Sequence, residues 1–435
     1  MAPRLMVGLS ALGLVVLGLV MVYSSSSITA YVEAGDSVGE AIKQCVFVVI
    51  GVVAAVVLVL FIKQDFMRGA GALIFWGICM VLLVLTFLMG TVGLGAKRWL
   101  YLGPIGIQIS EFAKIAFILM AARIAEDYRS GDIDITQALK QAAIYVIVPL
   151  GFLFVTQSDL GTTLICCVGL IVVMWLSGLS NRALLAILGV AAIFALLAIV
   201  LSSYRADRLG SFLDPWADEQ GSGYQLVHSF KALAAGGLFG VGIGNSYEKL
   251  QYLPEAETDF IFAIIGEELG LFGAILVIAA FLVFLRGGFS IASQSNSSFG
   301  GLVAAGLTVM LVFQAFLNIA CVVGLFPTTG KPLPFISSGG SSMISSLMIV
   351  GVILAISFDS HNEGEYRQRR DSLHVVSSYT GPQRQGSTVR GGASRRMQEP
   401  EPVRGAMSLK VIYGSGDRRG SSLAMESRAM RATRR

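Results

Sequence analysis

The stretch "YLPEAETDFIFAIIGEELG", residues 252 to 270, joins an acid-rich loop to an apolar run that continues to about residue 285. A run of that length is sufficient to cross a lipid bilayer, because a membrane-spanning helix needs about 20 apolar residues. Five carboxylates lie near the start of the run, namely Glu255, Glu257, Asp259, Glu267 and Glu268. The stretch therefore predicts a membrane helix that carries a cluster of acids near one end.

The rest of the chain has the same apolar character. Of its 435 residues, 54% are hydrophobic and 14% are charged, and the mean hydropathy is positive. A soluble domain of this composition would expose a large apolar surface, so the composition excludes the soluble classes. Runs long enough, or nearly long enough, for a bilayer recur at about 5–23, 44–62, 69–89, 105–125, 142–156, 160–178, 183–201, 260–285, 301–325 and 341–358. The sequence thus predicts an all-α polytopic membrane protein with about ten transmembrane helices.

The fifth and sixth runs are separated only by "TQSDLG", residues 156 to 161. One continuous helix through both runs would place Gln157 and Asp159 in the middle of the bilayer, where polar groups are costly. We therefore expect a tight hairpin at this point.

The charges of the short loops predict the orientation. Cytoplasmic loops carry an excess of Lys and Arg, and long loops count little. With a cytoplasmic N-terminus, the inner short loops hold Arg4, Lys63, Arg68, Arg123, Arg129, Lys140, Arg182 and Arg286, and the outer ones hold Lys43, Lys97, Arg98 and Lys331. We therefore expect both termini to be cytoplasmic, with a large outer loop, 202–258, between spans seven and eight.

Residues 1–358 form the predicted membrane domain, and residues 359–435 form a basic tail. The tail holds 15 Lys or Arg and 8 Asp or Glu, a net charge of +7, with many Ser and Gly. Such a segment cannot bury a core, so we expect a disordered cytoplasmic tail that is attracted to anionic membrane lipid. Because the whole chain has a net charge of +4, the membrane part has +4 − 7 = −3, and nothing points to nucleic acid.

The predicted outer segments hold nearly all of the reactive side chains. The cations suited to binding phosphate are Lys97, Arg98, Arg205, Arg208, Lys231 and Lys249. Trp99 is suited to stack on a sugar or to anchor at the membrane interface, and Asp259 to act as a base. Asp259 is also suited to cap the helix that follows it. The sequence contains no Gly-rich nucleotide loop, no His-based metal motif and no nucleophile elbow.

A charged pair is predicted inside the fourth span. In "SEFAK", Glu111 and Lys114 are one helical turn apart on one face. Charges within a membrane are costly unless they are paired or face a wet cavity, so the pair is a functional candidate. The alternative is an ion pair that only fixes helix packing.

Five motifs, occurring in order over residues 5 to 358, resemble those of the SEDS proteins (shape, elongation, division and sporulation), and most closely the division members. The motifs are "MVYSSSS", "GAKRWLYLGPIGIQISEFAK", "QSDLGT", "GIGNSYEKLQYLPEAETDFIFAIIGEELG" and "PTTGKPLPFISSGGSS". The sequence departs from the family where Glu257 replaces the common His, Ser158 replaces Pro and Ser338 replaces Tyr.

The resemblance implies a peptidoglycan glycosyltransferase that polymerises lipid II at the outer face of the cytoplasmic membrane of a bacterium, at the division septum. It implies a class B penicillin-binding transpeptidase and other division proteins as partners. By resemblance, Asp259 is the catalytic carboxylate, and Arg98, Trp99, Glu111 and Lys114 match functional positions of the family. The predicted substrate-binding set is Lys97, Arg98, Trp99, Glu111, Lys114, Lys249, Arg205, Arg208, Gln157, Asp159, Glu268, Ser338, Gly339 and Gly340. Within this set, Glu268 is expected to organise the site. The "QSDLGT" residues are expected either to line the cavity or to form a plain polar hairpin. The "SSGGSS" residues are expected either to pack closely where the last span begins or to act as a hinge.

The chemistry of such a reaction agrees with these residues. A weakly acidic hydroxyl must lose a proton while a pyrophosphate departs, which requires a carboxylate and several cations. A divalent cation, Mg²⁺ or Mn²⁺, is a candidate helper. Two alternatives stay open, a lipid II flippase and an elongation-type polymerase of the same family. A flippase would line a path through the membrane with polar residues, whereas here they gather on the predicted outer side.

Overall fold

The computed structural model describes residues 1–34, 38–93, 96–103, 105–189, 203–371, 373–376 and 410–413. Helices dominate this part of the chain. They are α1 (Ala2–Ala34), α2 (Gly39–Phe61), α3 (Gln64–Arg68), α4 (Ala70–Met89), α5 (Ile109–Ser130), α6 (Ile135–Ala142), α7 (Val148–Gln157), α8 (Leu160–Leu176), α9 (181–189), α10 (Ser203–Leu213), α11 (Tyr224–Gly236), α12 (Ile261–Ser293), α13 (Ser298–Val322) and α14 (Gly340–Asp371). A π-helical turn, Ala143–Ile147, joins α6 to α7, and a 3₁₀ turn, Pro215–Asp218, follows α10.

The predicted all-α polytopic fold is confirmed. Among the described residues, seven helices are long and apolar enough to cross a membrane, and α8 is a shorter apolar helix. The fourth predicted span corresponds to α5, which holds six charged residues and is not among those seven. The seventh predicted span, 183–201, begins in α9, and its remainder lies outside the described residues.

Helices α5, α12 and α13 form the buried centre of the bundle. Helix α13 packs against α12, α8 and α5, and α5 also packs against α4 and α8. Phe117 and Ile118 of α5 and Phe281 and Phe284 of α12 are fully buried in this core. In contrast, α2 exposes a row of large aliphatic side chains, as expected of a helix whose outer face meets lipid instead of water.

A small antiparallel sheet follows α4, in the predicted outer segment 90–104. Strand β2 (Ala96–Leu102) pairs with β1 (Thr91–Gly93) on one side and with β3 (Ile105–Ile107) on the other. The sheet leads directly into α5, so Arg98 and Trp99 are held on a strand next to the start of that helix.

The turn between α7 and α8 is as tight as predicted. Helix α7 ends at Gln157, and α8 begins at Leu160. Ser158 adopts the left-handed conformation with φ of 49°, and Asp159 caps α8 by accepting a hydrogen bond from the backbone N–H of Thr162 at 3.0 Å. An N-cap Asp satisfies an amide that has no partner within the helix.

Helix α12, which contains the predicted span 260–285, is interrupted at Gly270, where φ is 66° and ψ is −164°. Such a break leaves carbonyl groups of the preceding turn without helical partners. The backbone N–H groups of Val241 and Gly242 donate to the carbonyls of Glu267 and Glu268, at 2.9 and 3.0 Å. The loop after α11 therefore completes the hydrogen bonding of the first part of α12.

Helix α14 continues beyond the predicted boundary at residue 358. The chain divides by contacts into Met1–His361 and Asn362–Arg435. Within the second unit, strands β4 (Leu373–Val376) and β5 (Lys410–Tyr413) pair antiparallel. The expected disorder of the tail stays a prediction.

Candidate active site

Asp259 lies in a turn immediately before α12. The helix begins at Ile261, and its N-cap is Phe260, which makes no side-chain cap. The alternative interpretation of Asp259 as the cap is therefore wrong. Asn318 Nδ2 donates to the Asp259 carbonyl at 2.7 Å and to the Lys331 carbonyl at 2.8 Å. This buried amide of α13 fixes the turn that carries Asp259 against the segment that leads to α14.

Three cationic side chains act on the Asp259 carboxylate. A Cβ atom built on Gly330 would lie 3.4 Å from Asp259 Oδ2 and 3.9 Å from Arg208 Nη1, so the carboxylate and the guanidinium both lie next to this glycine. Arg208 Nη1 donates to the carbonyl of Thr328 at 2.8 Å, in the same segment. The positive charges of Lys331 and Arg98 also act on Asp259.

Asp259 is partly buried, and its acidity reflects this. Burial, and secondly the nearby Glu255 carboxylate, raise the pKa of Asp259 to about 6. The charges of Lys331, Arg208 and Arg98 act in the opposite direction and do not outweigh the loss of solvent. A carboxylate with such a pKa is a stronger base than an ordinary aspartate and is still ionised near pH 7.

A buried ion pair joins the α7–α8 turn to the segment that leads to α14. Lys331 Nζ lies 2.7 Å from Asp159 Oδ2, and both side chains are 2% exposed. Asp159 Oδ2 also accepts from Thr162 Oγ1 at 2.8 Å. Burial alone would raise the pKa of Asp159, but the charge and hydrogen bond of Lys331 and the backbone N–H of Thr162 hold it below the usual value. Asp159 therefore stays charged and acts as an anchor.

The predicted pair inside α5 forms and extends to α13 and α14. Lys114 Nζ donates to Glu111 Oε2 at 2.9 Å and to Gln314 Oε1 at 2.6 Å, and all three side chains are buried. Ser345 Oγ of α14 donates to the same Glu111 oxygen at 3.3 Å. Gln314 Nε2 donates to the Pro332 carbonyl at 3.0 Å, next to Lys331. The pair thus supports the segment that borders Asp259.

Lys249 and Glu268 form a third buried pair. Lys249 Nζ lies 2.8 Å from Glu268 Oε1, and Ser24, the first serine of "MVYSSSS", bonds to both groups. The neighbouring Glu267 accepts from Ser246 Oγ and from the Tyr247 backbone N–H. Glu268 and Lys249 are thus engaged with each other, and the predicted role of Glu268 in organising the site stays a prediction. A phosphate-binding role for Lys249 stays a prediction.

Arg98 reaches from β2 to the α7–α8 turn. Its Nε and Nη2 atoms donate to the carbonyls of Gln157 and Ser158, at 2.8 and 3.0 Å. A guanidinium has five N–H donors, so these contacts orient the group and leave others for a ligand. The Gln157 side chain is fully buried, and neither amide atom has a hydrogen-bond partner in the described part of the chain.

The predicted motif residues Ser338, Gly339 and Gly340 line a cavity of about 250 Å³ together with Trp99. The motif is also bonded to the Asp259 turn, because the Ser338 backbone N–H donates to the Glu257 carbonyl at 2.8 Å. A second cavity, of about 560 Å³, lies at the opposite ends of α12 and α13 and contains none of the predicted site residues.

The sequence did not single out Lys331, Asn318 or Gln314 as site residues. Asn318 and Gln314 are polar residues one turn apart within the apolar run of α13, and this spacing was an available signal. Lys331 lies inside the quoted motif "PTTGKPLPF". The predicted residues Lys97 and Arg205 have side chains outside the described part of the structure.

No group of three or more His, Cys, Asp or Glu side chains in the described part of the chain is arranged to hold a metal ion. The carboxylates near Asp259 are instead bonded to protein groups, as in the bond from Thr258 Oγ1 to Glu255 Oε2 at 2.6 Å. The described residues offer cationic side chains, not a carboxylate cage, for an anionic ligand.

Comparison with known sequences identifies relatives over most of the chain. The family model for FtsW, RodA and SpoVE, described as "Cell cycle protein", matches residues 4–362. Stage V sporulation protein E of Bacillus subtilis is 37% identical over 360 residues, covering 82% of this chain and 97% of the relative. A probable peptidoglycan glycosyltransferase FtsW of Trichlorobacter lovleyi is 39% identical over 345 residues, covering 78% and 89%.

Solved structures show the same fold. A chain from a peptidoglycan synthase complex, described as coordinating polymerization and crosslinking, has a TM-score of 0.67 and 27% identity, covering 82% of this chain and 97% of that one. The rod shape determining protein RodA of Thermus thermophilus has a TM-score of 0.60 and 26% identity, covering 82% and 96%.

Proposed function

Because the chain belongs to the FtsW/RodA/SpoVE family and is a membrane-embedded peptidoglycan glycosyltransferase of the division type, we propose that it polymerises lipid II, with Asp259 as the general base. The observation that carries the proposal is the position of Asp259. It is a partly buried carboxylate with a raised pKa, set among the charges of Lys331, Arg208 and Arg98.

In the proposed step, Asp259 removes the proton from the attacking hydroxyl of the acceptor sugar. The hydroxyl oxygen forms a bond to the anomeric carbon of the donor sugar, and the bond from that carbon to the pyrophosphate oxygen breaks. The pyrophosphate leaves with the electron pair of the broken bond, and Asp259 holds the proton. The net charge that moves onto the leaving group is stabilised by preorganised cations.

Arg98 and Arg208 are the proposed pyrophosphate ligands. Both guanidinium groups act on Asp259 electrostatically, and both are oriented by backbone carbonyls, of Gln157 and Thr328 respectively. Planar guanidinium groups bind phosphate oxygens through paired N–H donors. Lys331 contributes positive charge at Asp259, while its ammonium is bonded to Asp159.

The three buried ion pairs have a supporting role in the proposal. The Lys331–Asp159 pair joins the α7–α8 turn to the segment before α14, and the Lys249–Glu268 pair joins the loop before α12 to that helix. The Glu111–Lys114 pair of α5 is linked through Gln314 to Pro332. A catalytic constellation must be held in place by neighbouring groups if proton transfer is to be efficient.

The site is proposed to face the outer side of the cytoplasmic membrane, with both termini inside. The excess of Lys and Arg in the opposite short loops supports this orientation. A penicillin-binding transpeptidase is the proposed partner, because a structural relative comes from a synthase complex that couples polymerization to crosslinking. Placement at the division septum is supported by relatives named FtsW.

The test is polymerisation of purified lipid II by the purified full-length protein, alone and with a class B penicillin-binding transpeptidase whose own active-site serine is replaced. Glycan chains are expected in the reaction that contains the partner. Movement of lipid II between leaflets without chain formation would contradict the proposal and favour the flippase alternative. Chain formation that persists in Asp259→Asn would exclude Asp259 as the base while leaving the polymerase assignment intact.

A further inference from the structure

The 250 Å³ cavity beside the Asp259 turn has the composition of a sugar-binding site. It is lined by Trp99, Tyr101 and Gly106 of the sheet, by Glu40, Lys43, Gln44 and Phe47 of α2, and by 338–340 before and at the start of α14. Its volume is below the roughly 300–1,000 Å³ of sites for drug-sized ligands, which suits a single ring.

Two aromatic rings form one wall of the cavity. Trp99 and Tyr101 are alternate residues of β2, so their side chains are on the same face of the strand. A Cβ atom on Gly106 would lie 3.1 Å from Tyr101 Cε1 and 3.3 Å from Trp99 Cε3, so this glycine leaves room for both rings. Tyr101 is 55% exposed. Aromatic faces of this kind pack against the C–H face of a sugar ring.

Polar groups from α2 form the opposite wall. Gln44 is buried, donates to the Ser337 carbonyl at 3.1 Å and accepts from the Gly339 backbone N–H at 3.3 Å, so it fixes α2 to the loop before α14. Lys43, which precedes Gln44, and Glu40, one turn earlier, form an ion pair of 2.6 Å near the rim of the cavity. These two side chains offer a donor and an acceptor to hydroxyl groups.

The charges at the cavity argue for an uncharged ligand. Lys43 is accompanied by Glu40 and is also acted on by the charge of Glu257. Two carboxylates and one ammonium do not attract a phosphate, unlike the cations around Asp259. A neutral sugar ring packs against the aromatic wall and forms hydrogen bonds with the polar rim.

The cavity is close to the reacting position. The Ser338 backbone N–H donates to the Glu257 carbonyl, and Ser337 Oγ donates to the Thr258 carbonyl at 2.6 Å. Glu257 is two residues from Asp259, and two residues span at most about 7 Å. We propose that this cavity is a saccharide subsite, which holds the non-reacting sugar ring of a lipid-linked disaccharide while the reacting ring lies at Asp259. This inference rests on the proposed polymerase function.

The test uses the full-length protein with Asp259→Asn, so that bound substrate is not consumed. Two probes are compared, a short-chain soluble lipid II and the same prenyl pyrophosphate without sugars. Tyr101→Leu is expected to weaken binding of the disaccharide probe by about 5- to 10-fold and to leave the sugarless probe unchanged. Tyr128→Leu, at a tyrosine that is 47% exposed near the end of α5, is the matched control and is expected to change neither.

A second variant keeps the test independent of the stability of Tyr101→Leu. Gly106→Ala adds a methyl group against both rings and is expected to weaken the binding of the disaccharide probe but not that of the sugarless probe. The affinity gained from the sugars should also be insensitive to salt between roughly 0.05 and 0.5 M, because an uncharged ring is not screened. Equal losses for both probes, or no loss in either variant, would overturn the subsite. Failure of the Asp259→Asn protein to bind either probe would overturn the proposed function as well.

Discussion

Lys331 Nζ lies 2.7 Å from Asp159 Oδ2 inside the protein, and this ion pair ties the turn between α7 and α8 to the segment that borders Asp259. The opposite charges of a buried ion pair compensate each other only while both partners are present. Removing one partner leaves an isolated charge in a poorly solvated site, whereas removing both leaves two neutral groups. The pair therefore couples the folding of two distant parts of the chain.

The first prediction follows from this coupling. Lys331→Met and Asp159→Asn should each lower the free energy of unfolding by about 3–5 kcal/mol, and the double variant should recover most of the loss. Thermal stability of the detergent-purified protein measures the effect. Disruption of the exposed Lys43–Glu40 pair is the control and should cost less than about 1 kcal/mol. A double variant no more stable than either single variant would contradict the pairing.

The second prediction concerns Glu111 and Lys114. Single and double variants of this pair distinguish a structural role from a functional one. Lys114→Met or Glu111→Gln alone should reduce stability by about 3–5 kcal/mol, since Gln314 and Ser345 cannot neutralise the remaining charge. The double variant should refold but polymerise lipid II poorly, because the segment at Pro332 loses the orientation given by Gln314. Full activity of a stable double variant would show that the pair is only structural.

The third prediction is topological. Ser222, in the loop before α11, and Ser130, at the end of α5, are both exposed. In a background in which the five cysteines, including exposed Cys45, are replaced, Ser222→Cys should react with a membrane-impermeant maleimide on intact cells. Ser130→Cys should react only after the cells are opened. The reverse pattern would place Asp259 on the cytoplasmic side and contradict the proposed site of synthesis.

The helices and their order follow from the sequence, because long apolar runs in a membrane have few alternatives to helical structure. The i,i+3 spacing of Glu111 and Lys114 also predicts their pairing directly. The sequence did not predict that Asp159 pairs with Lys331 or that Lys249 pairs with Glu268. The members of each pair are separated in the chain and meet only when the protein folds. The break at Gly270 depends equally on tertiary contact, with the loop after α11.

The fourth prediction is the pH dependence that follows from the raised pKa of Asp259, about 6. A general base acts in its ionised form, so the polymerisation rate should fall as the pH drops below about 6. The free energy of unfolding should change with pH in the opposite direction, because the folded state holds the Asp259 proton more tightly than the unfolded state. The contribution of Asp259 to stability is therefore fully present below the ordinary pKa of 3.8 and is lost as the pH rises through the folded-state pKa of about 6. Rates measured from pH 5 to about 8 on the purified complex test the first part.

The last prediction is that Asp259→Asn abolishes polymerisation while the fold and substrate binding persist. Asn keeps the shape of the side chain, and the Asp259 carbonyl still accepts from Asn318, so the turn before α12 should be retained. Because the variant removes a partly buried charge whose pKa is raised, its thermal stability above pH 6 should equal or exceed that of the parent. Loss of a general base typically costs about 10² to 10⁴ in rate, and Asp259→Glu, which keeps the charge but displaces it, should also be slow. The test measures chain synthesis from lipid II by Asp259→Asn, together with its thermal stability and its binding of the short-chain probe. A stable Asp259→Asn protein that makes chains at nearly the parent rate would move the search for the base to Glu257 or Glu255.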